Sequence, residues 1–227
     1  MMEASGLISE NLAALRQKID TDEVRLVAVT KTQPPSVLRD AAANGLTVMG
    51  ENKVQEALEK AAQLQDLPIE WHLIGHLQTN KVRQAVKLFS LIHSVDSLKL
   101  AQEINRCAAI LGKMQDVLLQ VNVAGEETKS GVSPSDARNL ANFINSLPNV
   151  RLCGVMTIAP FFPDNEMTRP IFAQTRNLFE ELKENIGHAE TFQWLSMGMT
   201  HDYEVAVEEG ANMVRIGTGI FGERAVH

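Results

Sequence analysis

The chain has 227 residues, 44% of them hydrophobic, and a formal net charge of −7 at pH 7. These values fit one large α/β domain or two small ones with a full core. The acidic balance gives no general reason to expect nucleic-acid binding. No apolar run approaches the roughly 20 residues of a membrane span, and the N-terminus lacks the basic and apolar regions of a signal peptide. We therefore expect a cytoplasmic protein with no membrane partner, in which Cys107 and Cys153 are reduced packing residues.

The first predicted elements are a helix and a strand. Apolar residues at helical spacing predict an amphipathic helix over 6–19. A run of Val, Leu and Ala between Val24 and Lys31, closed by Pro34 and Pro35, predicts a buried parallel strand. Lysine is unusual at the end of such a strand. Lys31 either extends to solvent or stands at the mouth of an α/β fold, where such folds carry their chemistry.

Helix and strand patterns then alternate along the rest of the chain. Helices are predicted over 35–44, up to about residue 64, over 80–88, after Ser97, after Ser133 and around 172–182. Further strands are predicted over 46–50, 69–75, 91–95, 116–123, 151–158, 191–196 and 213–216. Strands that alternate with helices in this way predict parallel βαβ units joined by right-handed crossovers.

The number of these units favours one architecture over another. Eight units within 227 residues predict a single α/β domain, 1–227, built as a closed (β/α)8 TIM-type barrel. An additional N-terminal helix is expected to cover the seam where the barrel closes. An open doubly wound sheet is the alternative fold.

The carboxyl ends of barrel strands converge on one face, where functional residues collect. The loops after the seventh and eighth predicted strands, 195–200 and 217–219, supply hydroxyl groups and glycines that let a backbone approach a phosphate. The plain alternative is that these glycines only form tight turns. The predicted strand ends carry Lys31, Glu51, Asn52, His76, Asn122, Met156, Thr157, Ser196, Arg215, Gly217 and Thr218.

The stretch 217–222 also fits the pattern GxGxxG after a strand. A dinucleotide site needs a complete βαβ unit and an acidic residue about 20 positions further on. The sequence ends at residue 227, too soon after Gly222 for either feature. The pattern therefore does not indicate a dinucleotide, although the objection does not apply to a phosphate.

A lysine that faces a phosphate site suggests a Schiff base to a phosphorylated aldehyde, and pyridoxal 5′-phosphate (PLP) is the usual cofactor of this kind. Arg215 is informative because a guanidinium cannot accept a proton. At the ring nitrogen it would keep the pyridine neutral and weaken electron withdrawal by the ring. The alternative for Arg215 is an ordinary structural ion pair.

Five segments closely resemble motifs of the pyridoxal phosphate homeostasis protein family (YggS/PROSC). They are 27–32, 50–56, 71–81, 195–200 and 214–222. The resemblance extends over essentially the whole chain. It implies a PLP-binding barrel related to the N-terminal domain of alanine racemase.

The resemblance also implies roles for individual residues. Lys31 would form the Schiff base, and Arg215 would face the pyridine nitrogen. No residue is assigned as catalytic or as a metal ligand. The phosphate would be held by Ser196, Gly217 and Thr218, with Met197 and Thr200 nearby, and the ring end of the pocket would be formed by Asn52 and His76.

Other polar clusters are weaker candidates for a site. His72 and His76 are four residues apart, but their strand need not bring the side chains together, so no zinc site is expected. His201 and Asp202 are expected to cap the following helix. The loop 124–131 is expected to be solvated, with a lid over the site as the alternative.

The sequence favours a carrier of PLP over an enzyme. Racemisation with two bases needs a second base opposite the lysine, which in alanine racemase is a tyrosine from a separate β-domain. We expect no second domain here, and Tyr203, the only tyrosine, lies outside the predicted strand ends. We therefore expect a monomeric, non-enzymatic PLP carrier or buffer that affects vitamin B6 and amino-acid balance. Its partners would be apo PLP enzymes or a regulatory protein.

Two alternatives stay open at this point. One is a small amino-acid racemase that uses Lys31 alone. The other is a regulatory module whose PLP state gates a protein partner.

Overall fold

The structure is a computed structural model that describes residues 2–19, 23–126, 129–186 and 190–223. Its strands are β1 (Arg25–Val29), β2 (Val48–Glu51), β3 (Glu70–Leu73), β4 (Leu91–Val95), β5 (Gln115–Gln120), β6 (Val150–Met156), β7 (Trp194–Met199) and β8 (Met213–Ile216). Its α-helices are α1 (Met2–Lys18), α2 (Pro35–Ala43), α3 (Val54–Gln63), α4 (Val82–Leu88), α5 (Leu98–Ile110), α6 (Pro134–Asn145), α7 (Arg169–Asn185), α8 (Tyr203–Glu208) and α9 (Thr218–Phe221). Short 3-10 turns span Thr79–Lys81 and Asn165–Thr168.

The strands form one closed barrel. They are parallel and adjacent in chain order, and β8 pairs with β1 to close the sheet. The predicted (β/α)8 barrel is confirmed, and the alternative of an open sheet is wrong. Within the described ranges, no helix combines the length and the apolar character needed to cross a membrane.

The helix α1 covers the closing seam of the barrel. It packs against α2, which follows β1, and against α9, which follows β8. The predicted apolar positions Ile8, Leu12, Leu15 and Ile19 are buried. The amide of Asn11 donates a hydrogen bond of 2.9 Å to the carbonyl oxygen of Ile220. The expected role of the N-terminal helix is therefore confirmed.

Two predicted strands match, others differ by one or two residues at an end, and the two largest differences have physical reasons. The strands β4 and β8 match their predicted ranges. The strand β5 ends at Gln120 because Val121 forms an isolated bridge with Val132. The strand β7 begins at Trp194, three residues later than predicted. The apolar Phe192 that suggested an earlier start instead stacks on Phe179 of α7, with ring centroids 5.1 Å apart.

Side chains alternate between two environments along each strand. Val27 and Met213 belong to a small apolar cluster inside the barrel. Their neighbours Ala28 and Val214 belong to the larger core between the barrel and its helices. The same alternation directs a set of polar side chains into the barrel: Glu70, His72, His93, Ser196 and Arg215.

The strands β6 and β7 approach closely at Gly154 of β6, where φ is 149°. A Cβ atom there would overlap the carbonyl oxygen of Trp194 in β7. We expect Gly154→Ala to lower the free energy of unfolding by more than about 1 kcal/mol, because the native backbone conformation excludes a side chain. Gly6, in α1, has open space around it and serves as the control. Gly6→Ala should raise the free energy of unfolding by about 0.5 kcal/mol. Urea unfolding measures both, and a wild-type midpoint for Gly154→Ala would contradict the argument.

Candidate functional site

A cavity of about 210 Å³ opens at the carboxyl ends of β1, β7 and β8. Parallel barrels carry their functional residues at this face. The cavity contains five of the residues that the sequence singled out. Its lining consists of Val29, Lys31, Gln33, Met199, Thr200, His201, Arg215, Gly217, Thr218 and Gly222.

Lys31 enters the cavity because of its position in the alternation of β1. Val27 and Val29 point into the barrel, and Lys31 lies two residues beyond Val29 on the same side. Its side chain is half-buried. The alternative in which Lys31 only extends to solvent is therefore not observed.

The two residues beside Lys31 are both fixed by α3. The ammonium group of Lys60 donates a hydrogen bond of 2.7 Å to the carbonyl oxygen of Thr30. The backbone N–H of Thr32 donates to the carboxylate of Glu56 at 2.5 Å. Thr32 has a φ of 66°, which is strained for a β-branched residue and needs such support.

The ammonium group of Lys60 joins three segments of the chain. Besides the Thr30 carbonyl, its ammonium donates to Glu51 Oε1 at 2.6 Å and to Glu56 Oε1 at 2.7 Å. An ammonium group has three N–H donors, so all of them are used. Lys60 is only 5% exposed and Glu51 is fully buried. The network leaves the loop around Lys31 little freedom to move.

The two carboxyl groups of this network experience different environments. Burial raises the pKa of Glu51 and outweighs the hydrogen bonds from Lys60 and Thr30. Burial also acts on Glu56, but the hydrogen bonds from Lys60 and Thr32 outweigh it and lower the pKa of that carboxyl. The second oxygen of Glu51, Oε2, has no hydrogen-bond partner among the described residues. Lys60 is therefore the main support for charge on Glu51.

Arg215 forms the inner wall of the cavity. Its Nη1 donates to the carbonyl oxygen of Ser196 at 2.9 Å and to the Ser196 hydroxyl at 2.6 Å, and its Nη2 donates to the carbonyl oxygen of Thr157 at 2.8 Å. These acceptors are neutral, so Arg215 is not held by the ordinary ion pair considered above. Burial lowers its pKa to about 10, with the carboxylate of Asp202 acting in the opposite direction. Arg215 is thus still a cation near neutral pH.

The other end of the cavity is lined by Gly217 and Thr218, at the start of α9. Gly217 precedes the short helix α9, whose first N–H groups have no acceptor within the helix. The N–H of Gly219 donates to the hydroxyl of Thr200 at 3.2 Å and so joins the loop after β7 to α9. Backbone donors at a helix start, with a glycine that lets a ligand approach, suit an anion such as a phosphate.

Two of the residues predicted to surround the phosphate lie behind the cavity wall. Ser196 is fully buried, and its hydroxyl accepts from Arg215. Met197 is the next residue on β7 and therefore points outward, into the core beneath the helices. The residue of β7 that does line the cavity is Met199.

The two residues predicted at the ring end of the pocket also lie off its lining. Asn52 is half-buried after β2, and its backbone packs against Gly75. His76 is exposed and lines a separate depression with Asp96 and Ser97. Lys31 and His76 therefore line different pockets.

The sequence patterns did not identify two residues that support the site, Lys60 and His93. Lys60 lies on the buried face of α3 together with Val54 and Ala57. A lysine at such a position in a helical pattern was the available signal. A histidine in the middle of the apolar strand β4, His93, was a second such signal.

The structure also places the other residues that the sequence analysis considered. His72 points into the barrel whereas His76 lies in an exposed loop, and the described residues contain no cluster of ligands that could hold a metal. Asp202 occupies the residue before α8, but its carboxylate accepts from the N–H of Met199 at 2.6 Å and does not cap the helix. Cys107 and Cys153 are buried and free, as predicted.

The loop after β5 is only partly described. The side chain of Asn122 donates to the carbonyl oxygen of Glu126 at 2.8 Å and accepts from the N–H of Gly125 at 3.1 Å. Residues 127–128, in the segment considered as a lid, lie outside the described residues. Asn122 thus holds the start of this loop and does not line the cavity.

Comparisons with known proteins place this geometry in a family. The sequence matches the model of the alanine racemase N-terminal domain over residues 5–225. The pyridoxal phosphate homeostasis protein of Aquifex aeolicus (strain VF5) is 50% identical over 88% of this chain and 87% of its own. The protein of the same name from Pseudomonas aeruginosa is 43% identical over 96% of both chains.

Solved structures agree with these relatives. A structure of PipY from Synechococcus elongatus PCC7942 with PLP bound is 41% identical and has a TM-score of 0.86 over 95% of this chain and 100% of that chain. An alanine racemase from Clostridium difficile has a TM-score of 0.75 at 17% identity, which bears on the fold alone. This chain covers 56% of that racemase. The site and the comparisons together show that the chain belongs to the pyridoxal phosphate homeostasis protein family, built on the fold of the alanine racemase N-terminal domain.

Proposed function

We propose that this protein binds PLP through Lys31 and acts in PLP (vitamin B6) and amino-acid homeostasis. The observation that carries the proposal is the placement of Lys31, Arg215, Gly217 and Thr218 around one cavity. The relatives named for pyridoxal phosphate homeostasis and the PLP-bound structure of PipY support it. When bound, PLP supplies an aldehyde for a Schiff base and a ring that withdraws electrons.

Different residues around the cavity would hold different parts of PLP. Lys31 supplies the primary amine, and the Lys60 network fixes the backbone on both sides of it. Gly217 and Thr218 supply backbone donors for the phosphate, and Thr200 positions the loop after β7 against α9. Asn52, His76, Ser196 and Met197 are not part of the cavity lining.

Arg215 determines which protonation state of the PLP ring nitrogen the site favours. It stays cationic near neutral pH and cannot accept a proton, so it favours an unprotonated ring nitrogen. A neutral ring withdraws electrons less strongly, which disfavours chemistry at an amino-acid α-carbon. The site is therefore better suited to holding and releasing PLP than to catalysis.

We further propose that the protein is not an enzyme. The tyrosine considered as a second base, Tyr203, is buried at the start of α8 and does not line the cavity. Relatives that this chain matches over 96% or 97% of their own length carry the homeostasis name. The cavity does contain His201, whose ring contacts Phe161. His201 is therefore the residue to test in the racemase alternative.

The cellular setting is part of the proposal. We propose a cytoplasmic protein, which the two buried free cysteines support because thiols stay reduced in that compartment. Transfer of PLP to apo enzymes, or contact with a regulatory protein, would follow from reversible binding. The expected monomer stays a prediction for size-exclusion chromatography.

Substitution of the lysine tests PLP binding directly. We expect wild-type protein incubated with PLP to show the visible absorbance of a Schiff base, and Lys31→Ala to lose it, because no other amine occupies that position. Borohydride reduction followed by mass spectrometry should place the adduct on Lys31. Lys99→Ala, at an exposed position on α5, is the control and should behave as wild type. A full borohydride-trapped adduct in Lys31→Ala would contradict the assignment.

Deuterium exchange tests the proposal that the protein is not an enzyme. We expect no turnover of deuterium into the α-carbon when PLP-loaded protein is incubated with amino acids in D₂O, because the site weakens electron withdrawal. Mass spectrometry of the amino acids provides the measurement. Exchange with turnover that Lys31→Ala abolishes would support the racemase, and its loss in His201→Asn would identify the second base.

The Lys60 network makes its own prediction. Lys60→Met leaves Glu51 buried without its cation, so we expect the free energy of unfolding at pH 7 to fall by about 3 kcal/mol and PLP binding to weaken. Because the folded state raises the pKa of Glu51, this loss should shrink as the pH falls toward about 4, where the unfolded chain also takes up the proton.

The matched control for this prediction is the double variant Lys60→Met with Glu51→Gln. It removes the unpaired charge and should recover part of the stability at pH 7. Urea unfolding at both pH values measures the effect. A double variant no more stable than the single one would show that the charge on Glu51 is not the cause.

A further inference from the structure

A continuous line of hydrogen bonds runs through the interior of the barrel. It joins Arg215 Nη1 to Ser196 Oγ at 2.6 Å, Ser196 Oγ to His93 Nδ1 at 3.2 Å, His93 Nε2 to His72 Nδ1 at 3.1 Å, and His72 Nε2 to Glu70 Oε1 at 3.0 Å. We call these five residues the interior chain. They come from β8, β7, β4 and β3, so no local sequence pattern unites them.

The interior chain connects the two ends of the barrel. Ser196, His93 and His72 are fully buried, and Arg215 is 3% exposed beside the cavity. Glu70 is the first residue of β3, at the amino end of the barrel, where its side chain is 38% exposed. There Glu70 pairs with Arg25 and accepts from the hydroxyl of Ser90 at 3.2 Å.

With both rings neutral, the direction of every bond in the interior chain follows from its two ends. Arg215 can only donate, so the hydroxyl of Ser196 accepts from it and gives its own hydrogen to His93 Nδ1. His93 then carries its proton on Nε2 and donates to His72 Nδ1. His72 likewise carries its proton on Nε2 and donates to the carboxylate of Glu70, which only accepts. One arrangement of protons satisfies all four bonds.

This arrangement requires both histidines to be neutral. Burial lowers the pKa of His93 well below its usual value, and the positive charges of Arg215 and Arg25 act in the same direction, as a charge on His72 would. Burial also lowers the pKa of His72, against the opposing effect of Glu70 and with a further contribution from Arg25. The environment of the two rings therefore agrees with the hydrogen-bond geometry.

We propose that His93 and His72 are positioning residues for Arg215: the interior chain fixes the orientation of the guanidinium toward the cavity and connects it electrostatically to the carboxylate of Glu70. The role toward PLP rests on the proposed function. Hydrogen bonds aligned in one direction polarise one another, so the negative charge at one end supports the cation at the other. Glu70 would thus act on Arg215 as a second, more distant carboxylate besides Asp202, whose charge already supports the guanidinium.

The first test does not depend on PLP. The ¹⁵N chemical shifts of the histidine rings in the apo protein report which nitrogen carries the proton. We expect both His72 and His93 to be neutral and protonated on Nε2, and we expect Glu70→Gln to shift the resonances of His93, which Glu70 does not touch. A charged ring, protonation on Nδ1, or unchanged His93 resonances in Glu70→Gln would overturn the proposal.

The second test measures PLP affinity in variants of the interior chain. Ser196→Ala and His93→Leu should each raise the dissociation constant of PLP about tenfold, the usual effect of one lost hydrogen bond, and should shift the pH at which the visible band titrates. His93→Gln retains an acceptor and a donor and should partly restore both values. Ser94→Ala is the matched control, because this buried hydroxyl lies beside His93 and has no hydrogen-bond partner among the described residues.

The outcomes separate the inference from the proposed function. If Ser196→Ala and His93→Leu are folded by circular dichroism and bind PLP as Ser94→Ala does, the positioning role is wrong although PLP binding stands. Glu70→Gln, which changes a partly exposed end of the interior chain, keeps the test valid if a buried variant fails to fold. If the wild-type protein binds no PLP, the proposed function fails, and the role toward the cofactor fails with it even when the tautomers are as expected.

Discussion

The organisation of the site depends on the ammonium group of Lys60. Its three hydrogen bonds join the end of β1, the end of β2 and the first turns of α3, and they use every donor that the group has. Such a buried ion pair contributes little net stability compared with apolar packing, but breaking it is costly. Its effect is therefore geometric: the strand end that carries Lys31 has one position relative to the barrel.

Lys31 and Arg215 are held in place in different ways. Lys31 is fixed through its backbone neighbours, Thr30 and Thr32, and its own amine makes no hydrogen bond to the part of the chain that the structure describes. Arg215 is fixed through its guanidinium, which donates to carbonyl and hydroxyl oxygens inside the barrel. A free amine and an immobilised cation suit a site that must form a bond at one end and only orient the ligand at the other.

Much of the fold could be predicted from the sequence because alternating strand and helix patterns are local. Lys31 could also be predicted, since it follows Val27 and Val29 at intervals of two. The positions of Ser196 and Met197 could not, because the sequence pattern ends β7 at residue 196 whereas the strand continues to Met199, with a register shift that depends on its pairing with β8. The contact between His93 and Ser196 spans 103 positions, and no local pattern encodes it.

The seam of the barrel has a consequence for the order of folding. The helix α1 packs on α9, and the bond from Asn11 to Ile220 joins positions 209 residues apart. During synthesis α1 emerges early, yet the surface that it covers is completed only when α9 has been made. Contacts across so long a stretch of chain are entropically slow to form. The contact of α1 with α9 can therefore form only after α9 has been made, and because Thr218 of α9 lines the cavity, that wall of the site is completed no earlier.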